Sequence, residues 1–212
     1  MTRPSRHLTV SDVMTSRVHV ASPQTLFKSL VRLIDENRVS AIPIVDQQGI
    51  PIGIVSATDL LLKEKNAEAA AVASEVMTSP AITVEMDARL SRAGRLMQDR
   101  NVRRLVVVDA RGRIAGIVSR SDLLKVFLRT DAELREVIVG ELIPAVLAST
   151  KHTVGVVVRG NIATLTGEVD RKSDVEMLAR MTREIDGLVG VVDELSYRWD
   201  DTDAKPIPRV AV

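Results

Sequence analysis

The sequence contains no cysteine and only four aromatic residues. Without cysteine the chain can form neither a disulfide nor a CxxC redox pair, a zinc ribbon or a thiolate nucleophile, and a reducing compartment fits this composition. The aromatic residues are Phe27, Phe127, Tyr197 and Trp199. We therefore expect an aliphatic core, and no row of rings is available to stack nucleic-acid bases.

Long apolar runs and an excess of positive charge are also missing. No uncharged apolar stretch approaches the ~18 residues of a membrane span, and none follows the basic residues at the start. We therefore expect a cytoplasmic protein that is neither exported nor inserted into a membrane. The 29 lysines and arginines are balanced by 28 acidic residues. Binding along a phosphate backbone normally needs a basic excess, so we expect no nucleic-acid partner.

Groups that could carry out catalysis are sparse. The three histidines, His7, His19 and His152, lie far apart in the sequence and outside any Ser-His-Asp order. Neither an HExxH motif nor a phosphate-cradling GxxxxGK[ST] loop is found. The sequence therefore predicts a protein that is not an enzyme, that has no metal site and that requires no cofactor.

A repeat with a period of 63 residues occupies the first part of the chain. Shifted by that period, Val13–Ser16 aligns with Val76–Ser79, Gly53–Ser56 with Gly116–Ser119, and Asp59–Leu61 with Asp122–Leu124. Each copy has an amphipathic helical stripe, which includes Leu26 in the first copy, then two short apolar runs joined by Asp-x-x-Gly, residues 41–45 and 50–55 in the first copy, and a second helix. Each therefore reads β-α-β-β-α. One copy is too small to bury both faces of its sheet, so the two should pack as an intramolecular pair.

These motifs resemble those of CBS domains, and together the two copies resemble a tandem CBS pair. The resemblance rests on VMT at each start, the Asp-x-x-Gly hairpin and the sequence Gly-Ile-Val-Ser-x-[Thr/Ser]-Asp before the last helix. It covers residues 8–66 for the first domain and 74–129 for the second. It implies clefts that hold AMP, ADP, ATP or S-adenosylmethionine as a regulatory ligand, without choosing among them. It also implies a homodimer formed through the CBS modules.

Polar residues gather where the last strand of each copy meets the following helix. The free N–H groups of a helix start suit phosphate oxygens, hydroxyls add donors, and a carboxylate can accept both hydroxyls of a ribose. The alternative is that these residues are ordinary helix caps. Their occurrence in two matched copies favours a nucleotide site. The candidates are Ser56, Thr58, Asp59, Ser119, Ser121 and Asp122.

A pair of arginines distinguishes the second copy, which has Arg103 and Arg104 where the first has Ser40 and Ala41. This segment is similar to one in the nucleotide-binding regulatory subunit of AMP-activated protein kinase, which implies that the pair faces phosphates. The planar guanidinium group suits that role. The alternative is a solvated pair on a strand edge. Because the first copy lacks the arginines, we expect the two sites to be occupied unequally.

Further candidates have weaker support. Arg38 and Arg120 are possible additional phosphate ligands. Ile42 and Pro43 could form an apolar wall for a base, but residues of this type are more often part of the core.

A different pattern begins at residue 130. We predict a helix over residues 131–143 interrupted by Pro144, strands over residues 154–158, 162–167 and 189–195, and a helix over residues 173–185. Residues 131–199 resemble a BON domain, a small α/β module that is considered to bind phospholipid or mediate interactions in bacterial stress-related proteins. We expect residues 200–212 to be a flexible tail. We also expect one helix to run from about Ser121 into residues 131–143 and to transmit ligand binding.

Two functional hypotheses follow for this α/β (α+β) chain. The first is a non-catalytic sensor that binds an adenosyl ligand in the CBS clefts and signals to the BON-like module. The second is a scaffold, in which the CBS pair dimerises without a ligand and the BON-like module binds phospholipid or a protein partner.

Overall fold

A computed structural model describes residues 7–63, 71–148 and 152–202. The chain divides into two compact units, one formed by Thr9–Leu124 and the other by Lys125–Val212 together with Met1–Leu8. The first unit contains both copies of the repeat, and the second contains the C-terminal module. Across the described ranges, every helix is too short or too polar to cross a bilayer.

The repeat unit has the predicted α/β character. The first copy contains α1 (Val10–Val13), α2 (Phe27–Glu36), β1 (Ala41–Val45), β2 (Pro51–Ser56) and α3 (Ala57–Lys63). The second contains α4 (Ala73–Val76), β3 (Thr83–Glu85), α5 (Leu90–Asp99), β4 (Arg104–Val108), β5 (Ile114–Ser119) and α6 (Arg120–Leu124). The short helices α1 and α4 were not predicted. The first strand of the first copy is reduced to a single bridge between Ala21 and Ile44.

The hairpin turns form as the Asp-x-x-Gly motif predicts. Oδ1 of Asp46 accepts hydrogen bonds from the N–H groups of Gln48 and Ile50, at 2.9 and 2.8 Å. Gly49 adopts φ 82°, which is left-handed backbone that glycine tolerates without steric cost. Asp109 makes the same pair of bonds in the second copy. The turn therefore fixes the register of β1 on β2 and of β4 on β5.

The hydrophobic stripes of α2 and α5 pack where predicted, with one exception. Leu30 is fully buried, as are Ala93 and Met97, on the faces that cover the sheets. Leu26, which we assigned to the same stripe, is half exposed. It caps the start of α2 instead of lying within the helix, so its side chain leaves the buried face.

Each copy contributes its Val-Met-Thr segment to the other copy. The backbones of Thr15 and Ile117 exchange two hydrogen bonds of 2.9 and 3.0 Å, which places Met14 directly over Gly116. A Cβ atom on Gly116 would lie 2.5 Å from the sulfur of Met14, so a larger residue there would require the methionine side chain to move. The symmetric contacts are made by Thr78 on Ile54 and by Met77 on Gly53. The predicted intramolecular pairing therefore occurs by exchange of segments.

The C-terminal module is a helix-covered, three-stranded sheet. After a 3₁₀ turn (Lys125–Leu128) come α7 (Asp131–Val137), a π-helical turn (Ile138–Leu142), α8 (Ile143–Leu147), β6 (His152–Arg159), β7 (Ile162–Arg171), α9 (Lys172–Arg183) and β8 (Gly190–Trp199). The strand order is β6-β7-β8, with β6 antiparallel and β8 parallel to β7. Its core is aliphatic, as the shortage of aromatic residues predicted.

The prediction of a single helix from Ser121 into residues 131–143 is wrong. The helix α6 ends at Leu124, and α7 begins anew at Asp131 behind a capping box. In that box the carboxylate of Glu133 accepts the N–H of Thr130 at 2.8 Å, and the Thr130 hydroxyl accepts the N–H of Glu133 at 3.2 Å. These bonds satisfy the free donors of a helix start, so a separate helix is favoured there.

The interruption predicted at Pro144 takes the form of the π-helical turn before it. Proline has no N–H group, so the regular bond to the carbonyl of Gly140 cannot form. The backbone widens over Ile138–Leu142, which lets the apolar face stay buried through the change of pitch. The helical segment therefore continues past the proline without leaving the core.

Two connections tie the ends of the module to its body. Both carboxylate oxygens of Asp131 accept backbone N–H groups of the β6–β7 turn, from Gly160 and Asn161, each at 3.0 Å. Asp200 receives a 2.8 Å hydrogen bond from Lys172, which lowers the pKa of Asp200 to about 2. The segment that we expected to be a flexible tail therefore begins with a tethered residue, and residues 203–212 lie outside the described residues.

We predict that Gly167→Ala strongly destabilises the C-terminal module. Gly167 has φ 111°, and a Cβ atom there would overlap the carbonyl oxygen of Thr153 on β6. The strain and the strand displacement should lower the free energy of unfolding by about 2–4 kcal/mol. Urea unfolding followed by fluorescence of Trp199 measures this. Gly140→Ala is the matched control, since nothing lies within 4 Å of its Cβ position. Equal effects of the two substitutions would contradict the argument.

Candidate functional site

A cleft of about 480 Å³ lies between the two copies of the repeat. The first copy lines it with the segment after its Val-Met-Thr motif, residues 15 and 17–19, and with residues 38–41 before and at the start of β1. The second copy contributes Arg103, Arg104, Ile117 and the junction of β5 with α6, residues 119–122. The volume suits a small molecule and not a polymer.

A hydrogen-bonded box forms the junction at the floor of the cleft. Oδ2 of Asp122 accepts hydrogen bonds from the N–H and the hydroxyl of Ser119, at 2.9 and 2.7 Å. The Ser119 oxygen accepts the N–H of Asp122 at 3.4 Å. The same box joins Ser56 to Asp59, with distances of 2.8, 2.7 and 3.3 Å. Both Ser-Asp pairs therefore cap helices, as expected from the alternative interpretation that these residues are helix caps.

The predicted site residues fall into two groups. Six lie together in the lining of the cleft: Ser119, Ser121, Asp122, Arg103, Arg104 and Arg120. The other five lie outside that lining: Ser56, Thr58, Asp59, Ile42 and Pro43. Of these, Ile42 is fully buried in the core of the first copy, because its strand position points into the packed face of the hairpin.

Positive charge dominates the lining. It contains Arg17, Arg38, Arg103, Arg104 and Arg120 against a single carboxylate, Asp122. Such a concentration of one sign in a recess focuses the potential and attracts anions.

The arginines are crowded together. The side chain of Arg104 donates a 2.8 Å hydrogen bond to the hydroxyl of Ser40. Partial burial and then the charge of Arg103 lower the pKa of Arg104, while the charge of Asp59 acts in the opposite direction. A bound polyanion would offset both effects, because its negative charge favours the charged form of the guanidinium group.

The arginines mark the positions at which the two copies differ. Each aligns with an uncharged residue of the other copy when the sequence is shifted by 63 residues. The aligned pairs are Arg17 with Pro80, Arg38 with Asn101, Arg103 with Ser40, Arg104 with Ala41, and Arg120 with Ala57. The copies thus share the capping box but differ in their cations.

Arg38 occupies an unusual backbone conformation. Its φ is 50°, and the aligned residue Asn101 has φ 51°. Asparagine is enriched in this left-handed region, whereas a long side chain there costs about 1–2 kcal/mol. A strained residue that lines a cleft is typical of a functional position.

The sequence did not single out Thr15, Arg17, Val18, His19, Val39 or Ile117, which also line the cleft. Thr15–His19 reach the second copy only because the Val-Met-Thr segments are exchanged. One signal was available in the sequence: a comparison of the two copies identifies Arg17 as a cation with no counterpart.

Comparison with known families assigns both units. Residues 10–65 and 73–129 match the CBS domain, and residues 130–198 match the BON domain. The chain belongs to the CBS domain family. It consists of a tandem CBS pair followed by a BON domain, as the motifs predicted.

Its relatives share the CBS pair. An uncharacterised protein of Methanopyrus kandleri is 34% identical over 125 residues, which cover 57% of this chain and 63% of that protein. CBSX2 of Arabidopsis thaliana, solved in complex with AMP, is 33% identical with a TM-score of 0.51, over 57% of this chain and 96% of that one. The cytosolic domain of the Mg²⁺ channel MgtE, solved with ATP, is 26% identical with a TM-score of 0.51, over 57% and 50%. The chain thus spans less than two thirds of the M. kandleri protein.

We predict that Asp59→Ala and Asp122→Ala destabilise the ligand-free CBS pair equally. Each substitution removes one partner of a capping box with the same geometry, and such a loss costs about 1 kcal/mol. Chemical denaturation of the two variants measures this. An exposed alanine substitution outside the box, Asp35→Ala on α2, is the control and should have little effect. A loss confined to one of the two aspartates would contradict the equivalence of the junctions.

Proposed function

We propose that this chain is a regulatory protein whose CBS pair binds an adenine nucleotide in the cleft beside Asp122. The observation that carries the proposal is the concentration of five arginines, three serine hydroxyls and one carboxylate in one recess between the copies. The complexes of CBSX2 with AMP and of the MgtE domain with ATP support an adenine nucleotide as the ligand.

Each part of a nucleotide has a complementary group in the lining. The guanidinium forks of Arg103, Arg104 and Arg120 suit phosphate oxygens, which they can contact through two bonds each. The carboxylate of Asp122, which accepts two hydrogen bonds from Ser119 through Oδ2, is an acceptor of the kind that suits ribose hydroxyls. The aliphatic side chain of Ile117 offers an apolar surface for a base.

The charge of the cleft narrows the choice of ligand. S-adenosylmethionine carries a sulfonium cation and no phosphate, so five arginines disfavour it. ADP and ATP carry more negative charge than AMP and therefore offset more of the repulsion around Arg104. We propose a di- or triphosphate as the preferred ligand.

Unequal occupancy of the two junctions follows from the same charges. Asp59 and Ser56 have the capping geometry, but the residues that align with Arg17, Arg38 and Arg120 are uncharged there. We propose one high-affinity nucleotide per chain, at Asp122. We propose that the role of this site is binding, with the Ser119–Asp122 hydrogen bond capping α6.

Two further features suit a regulatory assembly. Leu61 on α3 and Leu124 on α6 occupy equivalent positions and are 69% and 62% exposed. We propose that they contribute to a homodimer of CBS modules, which sedimentation of the full chain would disprove if it showed only monomers.

In the BON domain, Val157, Ile162 and Val192 are exposed on the face of the sheet opposite its core. We propose this domain as the docking module for phospholipid or a protein partner.

We predict that a nucleotide stabilises the protein against heat. A ligand at 100 times its Kd adds about 2.7 kcal/mol. For a chain of this size that raises the midpoint by roughly 5–10 °C. Thermal unfolding with AMP, ADP, ATP and S-adenosylmethionine, and with guanosine nucleotides as controls, should show the largest shift for ADP or ATP.

Variants locate the site in the same assay. Asp122→Ala should abolish the shift, and Asp59→Ala should retain it despite an equal loss of intrinsic stability. Arg38→Asn should raise the ligand-free midpoint, because asparagine suits φ 50°, and should reduce the nucleotide shift. The absence of a shift with every nucleotide would favour the scaffold hypothesis.

We further predict that the nucleotide changes the mobility of the BON domain. The helix α6 begins at the cleft, and three residues after Asp122 the chain enters the 3₁₀ turn. There Asn161 donates to the carbonyl of Phe127 at 3.4 Å, and Arg129 donates to that of Asp186 at 2.8 Å. Saturating nucleotide should therefore alter amide exchange in residues 125–130 and around Asp186. Exchange that changes only within the CBS pair would rule out this coupling.

A further inference from the structure

The strand β8 is a long edge strand whose charged residues are Asp193, Glu194 and Arg198. It is ten residues long and pairs with β7 in regular register from Gly190 to Trp199, with β6 on the far side of the sheet. Edge strands of soluble proteins are commonly short or carry lysine, proline or a bulge that prevents further pairing. The sequence of β8 contains neither lysine nor proline, and its register shows no shift.

The opposite edge of the sheet, at β6, forms hydrogen bonds with α7. Arg135 on α7 donates a 3.0 Å hydrogen bond to the carbonyl of Val156 on β6. Asp131, at the start of the same helix, holds the turn that ends β6. The edge at β6 is therefore engaged by α7. Within the described ranges, the hydrogen bonds between elements include none to the outer backbone of β8.

The direction of the free backbone groups on β8 is defined by one local contact. The N–H of Leu195 donates to Oδ1 of its neighbour Asp193 at 3.1 Å. This N–H group therefore points away from β7. Because the pattern alternates along a strand, Asp193, Leu195 and Tyr197 present their N–H and C=O groups outward. The contact with Asp193 is exposed and can be exchanged for a backbone partner at little cost.

We propose that β8 pairs with β8 of a second copy of this chain, antiparallel about a two-fold axis at Ser196, so that two BON sheets become continuous. A two-fold axis perpendicular to the sheet keeps the same face of both sheets on one side. The two residues of each opposite pair must therefore both be even-numbered or both be odd-numbered. Centring on Ser196 places Glu194 opposite Arg198 of the second copy and Leu195 opposite Tyr197. The outward backbone groups of Leu195 and Tyr197 then form a hydrogen-bonded pair.

Charge selects this register over its neighbours. A centre at Tyr197 would set Glu194 opposite Asp200, which is a repulsive pair. A centre at Leu195 would set Glu194 opposite Ser196, which leaves its charge without a partner. Only the centre at Ser196 joins opposite charges, and it does so twice because of the symmetry. Arg198 already bonds Glu168 and Asp170 on its own chain, but its five donors leave capacity for a third carboxylate.

A single cysteine tests the proposal directly, since the chain has no native cysteine. Ser196 would face itself across a non-hydrogen-bonded pair, with Cα atoms about 4.5 Å apart, which permits a disulfide. We expect Ser196→Cys in the full chain to form a covalent dimer under mild oxidation, seen on a non-reducing gel. Glu194→Cys is the matched control on the same strand and face. In this register its two thiols belong to residues roughly 13 Å apart and should not cross-link.

A charge reversal tests the register. Adding Glu194→Arg to Ser196→Cys places two arginines opposite each other and should slow cross-linking by about tenfold. Adding Glu176→Arg on the exposed surface of α9 makes the same charge change away from β8 and should leave the rate unchanged.

Three results would overturn the proposal. The first is cross-linking of Ser196→Cys no faster than that of Glu194→Cys. The second is a rate that is insensitive to Glu194→Arg. The third is cross-linking that appears only after residues 203–212 are deleted, since the tail of the same chain would then be the occupant of the edge.

Discussion

The exchange of Val-Met-Thr segments between the two CBS copies is the constraint on which the rest of the first unit depends. Each segment adds its backbone to the hairpin of the other copy, and its methionine lies against a glycine of that hairpin. The exchange carries Thr15–His19 across to the junction at Asp122. Without it, neither copy could enclose a cleft, and the arginines of the two copies would not meet.

The two copies of the repeat have matching capping boxes, and they differ in the distribution of charge around those boxes. The capping boxes at Asp59 and Asp122 agree to within about 0.1 Å in their hydrogen bonds. The surrounding arginines, in contrast, are concentrated around one of them. Crowded cations and the strained Arg38 are unfavourable in this cleft, and the proposed polyanionic ligand would offset that cost. Ligand binding and stability would then be linked through the same residues.

The BON domain is held together at its ends and left open at one edge. Asp131 closes the β6–β7 turn, and Asp200 ties the chain after β8 to Lys172. The helix α7 engages the edge at β6, whereas β8 offers regular, outward-facing backbone groups. In the pairing that we propose, the edge at β8 would select its partner by register.

The sequence by itself determined the repeat, the family and nearly all of the strands. Those features depend on periodicity and turn chemistry within a few residues, so β1 and the Asp46 turn were predicted closely. The capping box of Thr130 and Glu133 was equally local and could have revealed the break after α6. Only the tertiary structure decided that Ile42 lies in the core and that Arg17 joins Asp122 in one cleft. The position of Ile42 is set by packing within the first copy, and that of Arg17 by contacts between residues about a hundred apart in the chain, which no local pattern encodes.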